Sequence, residues 1–163
     1  MKKLFFYLFI AVIFMACQSK KNIETDVDGL RYWMNNYTIT DEYARSGKFS
    51  SKMDSLQPYS VGYFIPLNHI ENPQGKTVTF SAWVYYTQKP IKTGIVVSIL
   101  GNKTLWDFKD VVTSNSTSNN WYQVSISTKL PHDIDINDEL RTYITSGEKN
   151  DVVYVDDLSL EIK

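Results

Sequence analysis

In this 163-residue chain the side chains able to do chemistry are few, and their types and spacing suit recognition better than catalysis. His69 and His132 lie far apart in separate turn-rich stretches, and the one cysteine, Cys17, lies near the start, so no zinc ligand set forms. Acids gather at Asp41 and Glu42, at Asp107 and Asp110, and at Asp133, Asp135, Asp138 and Glu139. A glycosidase needs two carboxylates facing each other across about 5 to 10 Å, and nothing in these clusters singles out such a pair. Solvated loop charge accounts for them. No Gly-x-Ser-x-Gly elbow, Walker loop or dinucleotide fingerprint occurs. The chain is expected not to be an enzyme, with a small hydrolase or lyase the remote alternative. The aromatic side chains carry the stronger signal. Trp83 alternates with Tyr85, Trp106 with Phe108, and Arg141 with Tyr143. Indole and phenol rings offer flat apolar faces with a polar edge, which can pack on the C–H face of a sugar ring. A guanidinium can donate to hydroxyls or to a uronate.

Strands must position these groups. Helical periodicity is almost absent beyond residue 22, whereas alternation with Thr, Val, Ile, Tyr and Trp recurs between short turn clusters. The expected strands are Leu30 to Asn35, Phe49 to Ser55, Val61 to Pro66, Thr77 to Tyr86, Gly94 to Leu100, Thr104 to Val112, Trp121 to Thr128, Glu139 to Thr145 and Val152 to Ile162. Turn residues such as Asn72-Pro73-Gln74-Gly75 and Gly101-Asn102 separate them. Short strands at this spacing predict an all-β domain folded as a two-sheet antiparallel β-sandwich. In Thr77 to Tyr86, the residues Val78, Phe80, Ala82, Val84 and Tyr86 share the core face. Trp83 and Tyr85 fall on the other, where they either cover the sandwich edge or offer a stacking platform. Tyr122, Val124 and Ile126 likewise share an apolar face.

Cys17 belongs to a different part of the chain. It follows Met1-Lys2-Lys3 and an apolar run from Leu4 to Ala16, too short for a spanning helix of about 20 residues. Phe14-Met15-Ala16-Cys17 resembles a bacterial lipobox, which implies cleavage before Cys17 and acylation of its thiol. Each acyl chain contributes roughly 0.8 kcal/mol per buried methylene, so two or three hold a protein on a membrane. The organisation expected is a signal peptide over 1–16, a lipidated tether over 17–22 and one domain over 23–163. The tether lacks an acidic run resembling the surface-export signal of Bacteroidetes lipoproteins, so the periplasmic and surface faces both stay open. Losing Lys2 and Lys3 with the leader moves the formal charge from -1 to -3. With no basic stretch longer than Lys20-Lys21, a nucleic-acid partner is not expected.

Further segments, in order, are Ile23-Glu24, Ala44 to Ser50, Thr79 to Val84, Trp121 to Val124 and Val155 to Leu160 with its Asp156-Asp157 pair. Together they resemble the jelly-roll carbohydrate-binding modules of families 4, 9 and 22, within the galactose-binding-like superfamily. The resemblance implies a structural calcium held by an early acid, by carbonyls of the Ser-Gly turn and by one Asp of the terminal pair. Here these are Glu24, the turn of Ser46, Lys48 and Ser51, and Asp156, with Asp26 and Asp28 as alternatives to Glu24. Hard oxygen donors are the right ligands for calcium. Adjacent acids on a regular strand would otherwise point to opposite faces.

If the strands concerned are neighbours, Trp83, Tyr85, Trp106, Arg141 and Tyr143 line one concave face. Tyr32, Tyr37, Tyr63 and Phe64 offer a loop-end site instead, while Trp33 and Trp121 are expected in the core. The leading expectation is a lipid-anchored, non-catalytic module of the outer membrane or cell envelope that binds a polysaccharide or oligosaccharide. The alternative is an envelope interaction or assembly subunit that docks a protein partner through the same aromatic residues.

Overall fold

The computed structural model describes residues 21–30, 33–114, 116–146, 148 and 151–163. Cys17 and Tyr32, and with them the expected lipidation site and one residue of the loop-end site, lie outside the described residues. The described residues form eleven strands: β1 Lys21–Thr25, β2 Trp33–Met34, β3 Ile39–Thr40, β4 Ser50–Met53, β5 Gly62–Pro66, β6 Thr77–Tyr85, β7 Thr93–Leu100, β8 Leu105–Asp110, β9 Tyr122–Lys129, β10 Glu139–Ser146 and β11 Val153–Ile162. Each of the nine expected strands has its counterpart. β1 and the two-residue β3 are additional, because Lys21 to Thr25 is a polar edge strand and Ile39-Thr40 is too short to show a period. β1 also means that the ordered sandwich takes in Lys21 and Asn22, which the sequence places in a tether.

Two antiparallel sheets result. One runs β3-β4-β11-β6-β9, with β1 pairing the second half of β11; the other runs β2-β5-β10-β7-β8. Strand alternation sends one face of each sheet inward. Val78, Phe80, Ala82, Val84, Leu158, Leu160 and Ile162 of the first sheet meet Tyr63, Ile65, Ile95, Val97, Ile99, Leu140 and Ile144 of the second, all nearly or wholly buried. A buried Val, Leu or Ile side chain contributes about 1.5 to 3 kcal/mol, so this interior dominates stability. Trp33 joins it as expected, edge-on to Tyr63 with ring centroids 5.3 Å apart.

On β5, Gly62 brings the strand close under β10: a Cβ there would stand 2.4 Å from the Thr142 carbonyl oxygen and 2.9 Å from Tyr143 Cβ. Neither a backbone carbonyl nor a β-carbon can swing aside. Gly62→Ala is therefore expected to cost about 1 to 3 kcal/mol of unfolding free energy, measured by urea denaturation.

Candidate functional site

The outer face of the five-stranded sheet carries a built row of side chains. Antiparallel register sets Phe64 of β5 opposite Arg141 of β10, Arg141 opposite Ser98 of β7, and Ser98 opposite Trp106 of β8. Four adjacent strands therefore contribute one side chain each. The row crosses three strand spacings, or about 14 Å. Beside it Tyr143 sits two residues along β10, next to Tyr59, which is bridged to Thr145 just outside β5. Asn35, Tyr59, Phe64, Arg141 and Tyr143 enclose a cleft of about 260 Å³.

The rings of this cleft stand around one another rather than in one plane. Tyr143 meets Tyr59 at 83°, Phe64 at 76° and Trp106 at 62°, with centroids 5.6, 6.2 and 6.2 Å apart. Such edge-to-face contacts are the favourable ones for aromatic quadrupoles. Tyr143 is the buried floor and the 46% exposed Tyr59 a wall, while Trp106, 59% exposed, stands beside the cleft against Tyr143. Burial pushes the Tyr143 hydroxyl above its ordinary pKa, so it stays a protonated donor. Arg141 Nε donates to Glu139 Oε1 at 2.5 Å, and its guanidinium carbon lies 5.1 Å from the Phe64 ring centroid. The cleft therefore offers apolar faces, a paired cation with spare N–H groups, and a carboxylate acceptor. It can bind hydroxylated rings; nothing in it forms a nucleophile or an acid/base pair.

Trp83 and Tyr85 are not part of it. The expectation that all five residues line one concave face fails because β6 belongs to the six-stranded sheet and β8 and β10 to the other. Only Trp106, Arg141 and Tyr143 are brought together. On the opposite outer face the segment 41–48 is strapped down. Tyr43 stacks on Tyr85 at 4.7 Å and 27° and meets Tyr154 at 4.8 Å, and Arg45 lies 3.7 Å over the Trp83 ring. Trp121, expected in the core, instead tilts against Tyr85 at 5.5 Å on this face, because the alternation that turns Tyr122, Val124 and Ile126 inward turns it outward. The loop-end alternative divides too: Tyr63 points into the core, Phe64 points outward into the cleft and Tyr37 is exposed. Strand alternation through Tyr63, Phe64 and Ile65 was the available signal for Phe64. Glu139 shares the alternation of Arg141 and Tyr143 on β10, whereas Tyr59 and Asn35 carried no such signal, since only the bridge of Tyr59 to Thr145 and the bond of Asn35 to the Ser60 carbonyl place them.

No family model and no curated protein matches the sequence. Solved structures do. The CBM22-1 xylan-binding domain of Paenibacillus barcinonensis Xyn10C matches with a TM-score of 0.58 at 14% identity, over 86% of this chain and 92% of that one. The C-terminal family 22 carbohydrate-binding module of Clostridium thermocellum Xyn10B gives 0.61 at 12% identity, over 86% and 91%. A family 16 carbohydrate-binding module gives 0.53 at 16%, over 78% and 89%. The chain shares the two-sheet β-sandwich fold of these modules.

In this sandwich the residues expected to hold calcium are each engaged by hydrogen bonds. Asp156 is fully buried, and its Oδ2 accepts the backbone N–H groups of Arg45 at 2.7 Å and Ser46 at 3.2 Å. Burial pushes its carboxyl above the usual range and these donors pull it back. Lys48 N–H donates to Asp28 Oδ2 at 2.9 Å. Ser51 faces inward, its hydroxyl bonded to Thr38 and to the Val61 N–H. Glu24 accepts from Asn22 Nδ2 at 2.7 Å on β1. Among the described residues no three His, Cys, Asp or Glu side chains converge as a metal-binding group. The turn meets the carboxylates with N–H groups where calcium needs oxygens, so this donor set does not fit calcium.

The strap over Tyr85 has its own electrostatics. Glu42 takes Lys52 Nζ at 2.6 Å and the Tyr154 hydroxyl at 2.5 Å, and the lysine hydrogen bond is the main cause holding its carboxyl below the usual value. A depressed carboxylate stabilises the fold above its unfolded pKa and loses that contribution as pH falls through the folded one. Glu42→Gln is thus expected to cost about 0.5 kcal/mol at neutral pH, and the difference should vanish in acid, as followed by urea denaturation across pH.

Proposed function

We propose that this protein is a non-catalytic glycan-binding module, lipid-anchored in the bacterial cell envelope, whose binding face is the outer face of the five-stranded sheet. The observation that carries the reading is the cleft enclosed by Asn35, Tyr59, Phe64, Arg141 and Tyr143, extended across the sheet to Trp106. The carbohydrate-binding fold supports it, as do the neighbours described as xylan-binding. Rings at 62° to 83° to one another cannot lie together on a crystalline polysaccharide surface. They can clasp a single twisted chain from several sides. Glu139 neutralises Arg141. The pair suits sugar hydroxyls, which donate to the carboxylate and accept from the guanidinium, whereas a uronate would meet the carboxylate's repulsion. The substrate class is therefore a soluble, neutral, single-chain polysaccharide such as a β-linked xylan or glucan.

The anchor supports the same reading. Acylation at Cys17 leaves four residue steps before β1 begins at Lys21, a reach of at most about 14 Å. The end of the sandwich formed by Lys21, Ile162, Thr77 and Lys129 then sits at the bilayer, and the strands rise from it. A glycan lying along the Phe64–Arg141–Ser98–Trp106 row would cross the strands and run parallel to the membrane.

Titration calorimetry of the purified protein with soluble neutral xylan and β-glucan tests this. Trp106→Ala should weaken binding about tenfold or more, as loss of an exposed stacking ring does at a binding hot spot. Trp83→Ala should leave the affinity unchanged. Binding lost with Trp83 and kept without Trp106 would move the site to the six-stranded sheet, and a folded protein that binds no glycan would end the reading.

A further inference from the structure

We propose that this sandwich has replaced the calcium of its fold with an internal ion-pair clasp, in which Arg45 and the N–H groups of its loop hold Asp28, Asp156 and Asp157, so that the fold needs no divalent metal. A regular strand would aim Asp156 and Asp157 at opposite faces. Here the register of β11 against β6 slips between Asp156 and Ser159, and Asp157 adopts φ 44°, a left-handed conformation that Asp tolerates. Both carboxylates then reach the same loop. Asp156 Oδ2 accepts from Arg45 and Ser46 N–H, and its Oδ1 accepts from Asp157 N–H at 2.7 Å. Asp157 takes the Ser46 hydroxyl on Oδ1 at 2.6 Å and the Arg45 guanidinium on Oδ2.

Backbone N–H groups converging on carboxylates make an anion cradle, and their positive ends would repel a metal placed among them. The compensating positive charge is already present. Arg45 supplies a planar cation that bonds Asp157 while its guanidinium carbon lies over Trp83, 3.7 Å from the ring centroid. Gly47 is part of the fit: at φ 57° it passes so near Asp28 that a Cβ would stand 1.9 Å from Oδ2. The acids of the adjoining cleft are engaged as well, Glu24 by the Asn22 amide and Asp26 by the Asp28 N–H at 3.2 Å. The clasp thus joins the loop to the central strand at the place where the resemblance expects a cation.

Thermal unfolding of the purified protein separates the two arrangements. The wild-type midpoint should be the same in excess EDTA and in excess calcium chloride, and Arg45→Met should lower it by about 4 °C under both conditions. Should Arg45→Met fail to fold, Arg45→Lys, which keeps the charge and loses the planar fork, should show a smaller drop in both media. A wild-type midpoint that falls in EDTA and returns with calcium overturns the proposal. So does an Arg45→Met protein that melts together with the wild type.

Discussion

The irregularity in β11 between Asp156 and Ser159 is the constraint on which much of this molecule depends. β11 is the central strand of the six-stranded sheet, paired along one side with β6 and along the other first with β4 and then with β1. A break in its pleat would weaken a sheet centre unless something were gained from it. The gain is two adjacent carboxylates on one side of the sheet, which capture the loop through Arg45 and Ser46. That capture sets Tyr43 over Tyr85 and Tyr154 and sets the Arg45 guanidinium over Trp83. Buried charge is costly when unpaired, so Asp156, fully buried, requires those donors and the loop cannot drift from it.

Closing one outer face leaves the two sheets unequal. The six-stranded sheet uses its rings to hold a loop, while the five-stranded sheet sets Phe64 and Trp106 around Tyr143, the buried floor of a cleft. Both faces are rich in aromatic residues, yet on the first Trp83 and Tyr85 are covered by Arg45 and Tyr43, whereas on the second Trp106 stands 59% exposed. Buried aspartates recur as loop anchors elsewhere. Asp138 accepts the Asn102 and Lys103 N–H groups, and Asp151 accepts those of Ile91 and Lys92. Carboxylates gripping backbone N–H groups are this chain's way of holding its loops, and the clasp at Arg45 is the largest of them.

The strand content was legible because alternation is a local signal: Val78, Phe80, Ala82, Val84 and Tyr86 could share a face only in a strand, and all are buried. The same locality explains the errors. Alternation tells that Trp83 and Arg141 both point outward, but not that they point outward from different sheets. The family resemblance places Trp121 in the core, and it lies outside because the alternation that turns Tyr122, Val124 and Ile126 inward turns the residue before them outward.

By itself the sequence determined that the domain is a two-sheet antiparallel sandwich and which side chains of β6 and β9 face inward. These follow from periods of two residues and from burial, which neighbouring residues encode directly. Which side chains meet was decided only by the tertiary structure. The Phe64–Arg141–Ser98–Trp106 row exists because β5, β10, β7 and β8 are hydrogen-bonded neighbours, and β10 lies far in the chain from both of its partners β5 and β7. The Arg45 clasp likewise joins residues about 110 positions apart across a slipped register. Register between distant strands is set by the summed packing of the whole core, and no short stretch of sequence carries it.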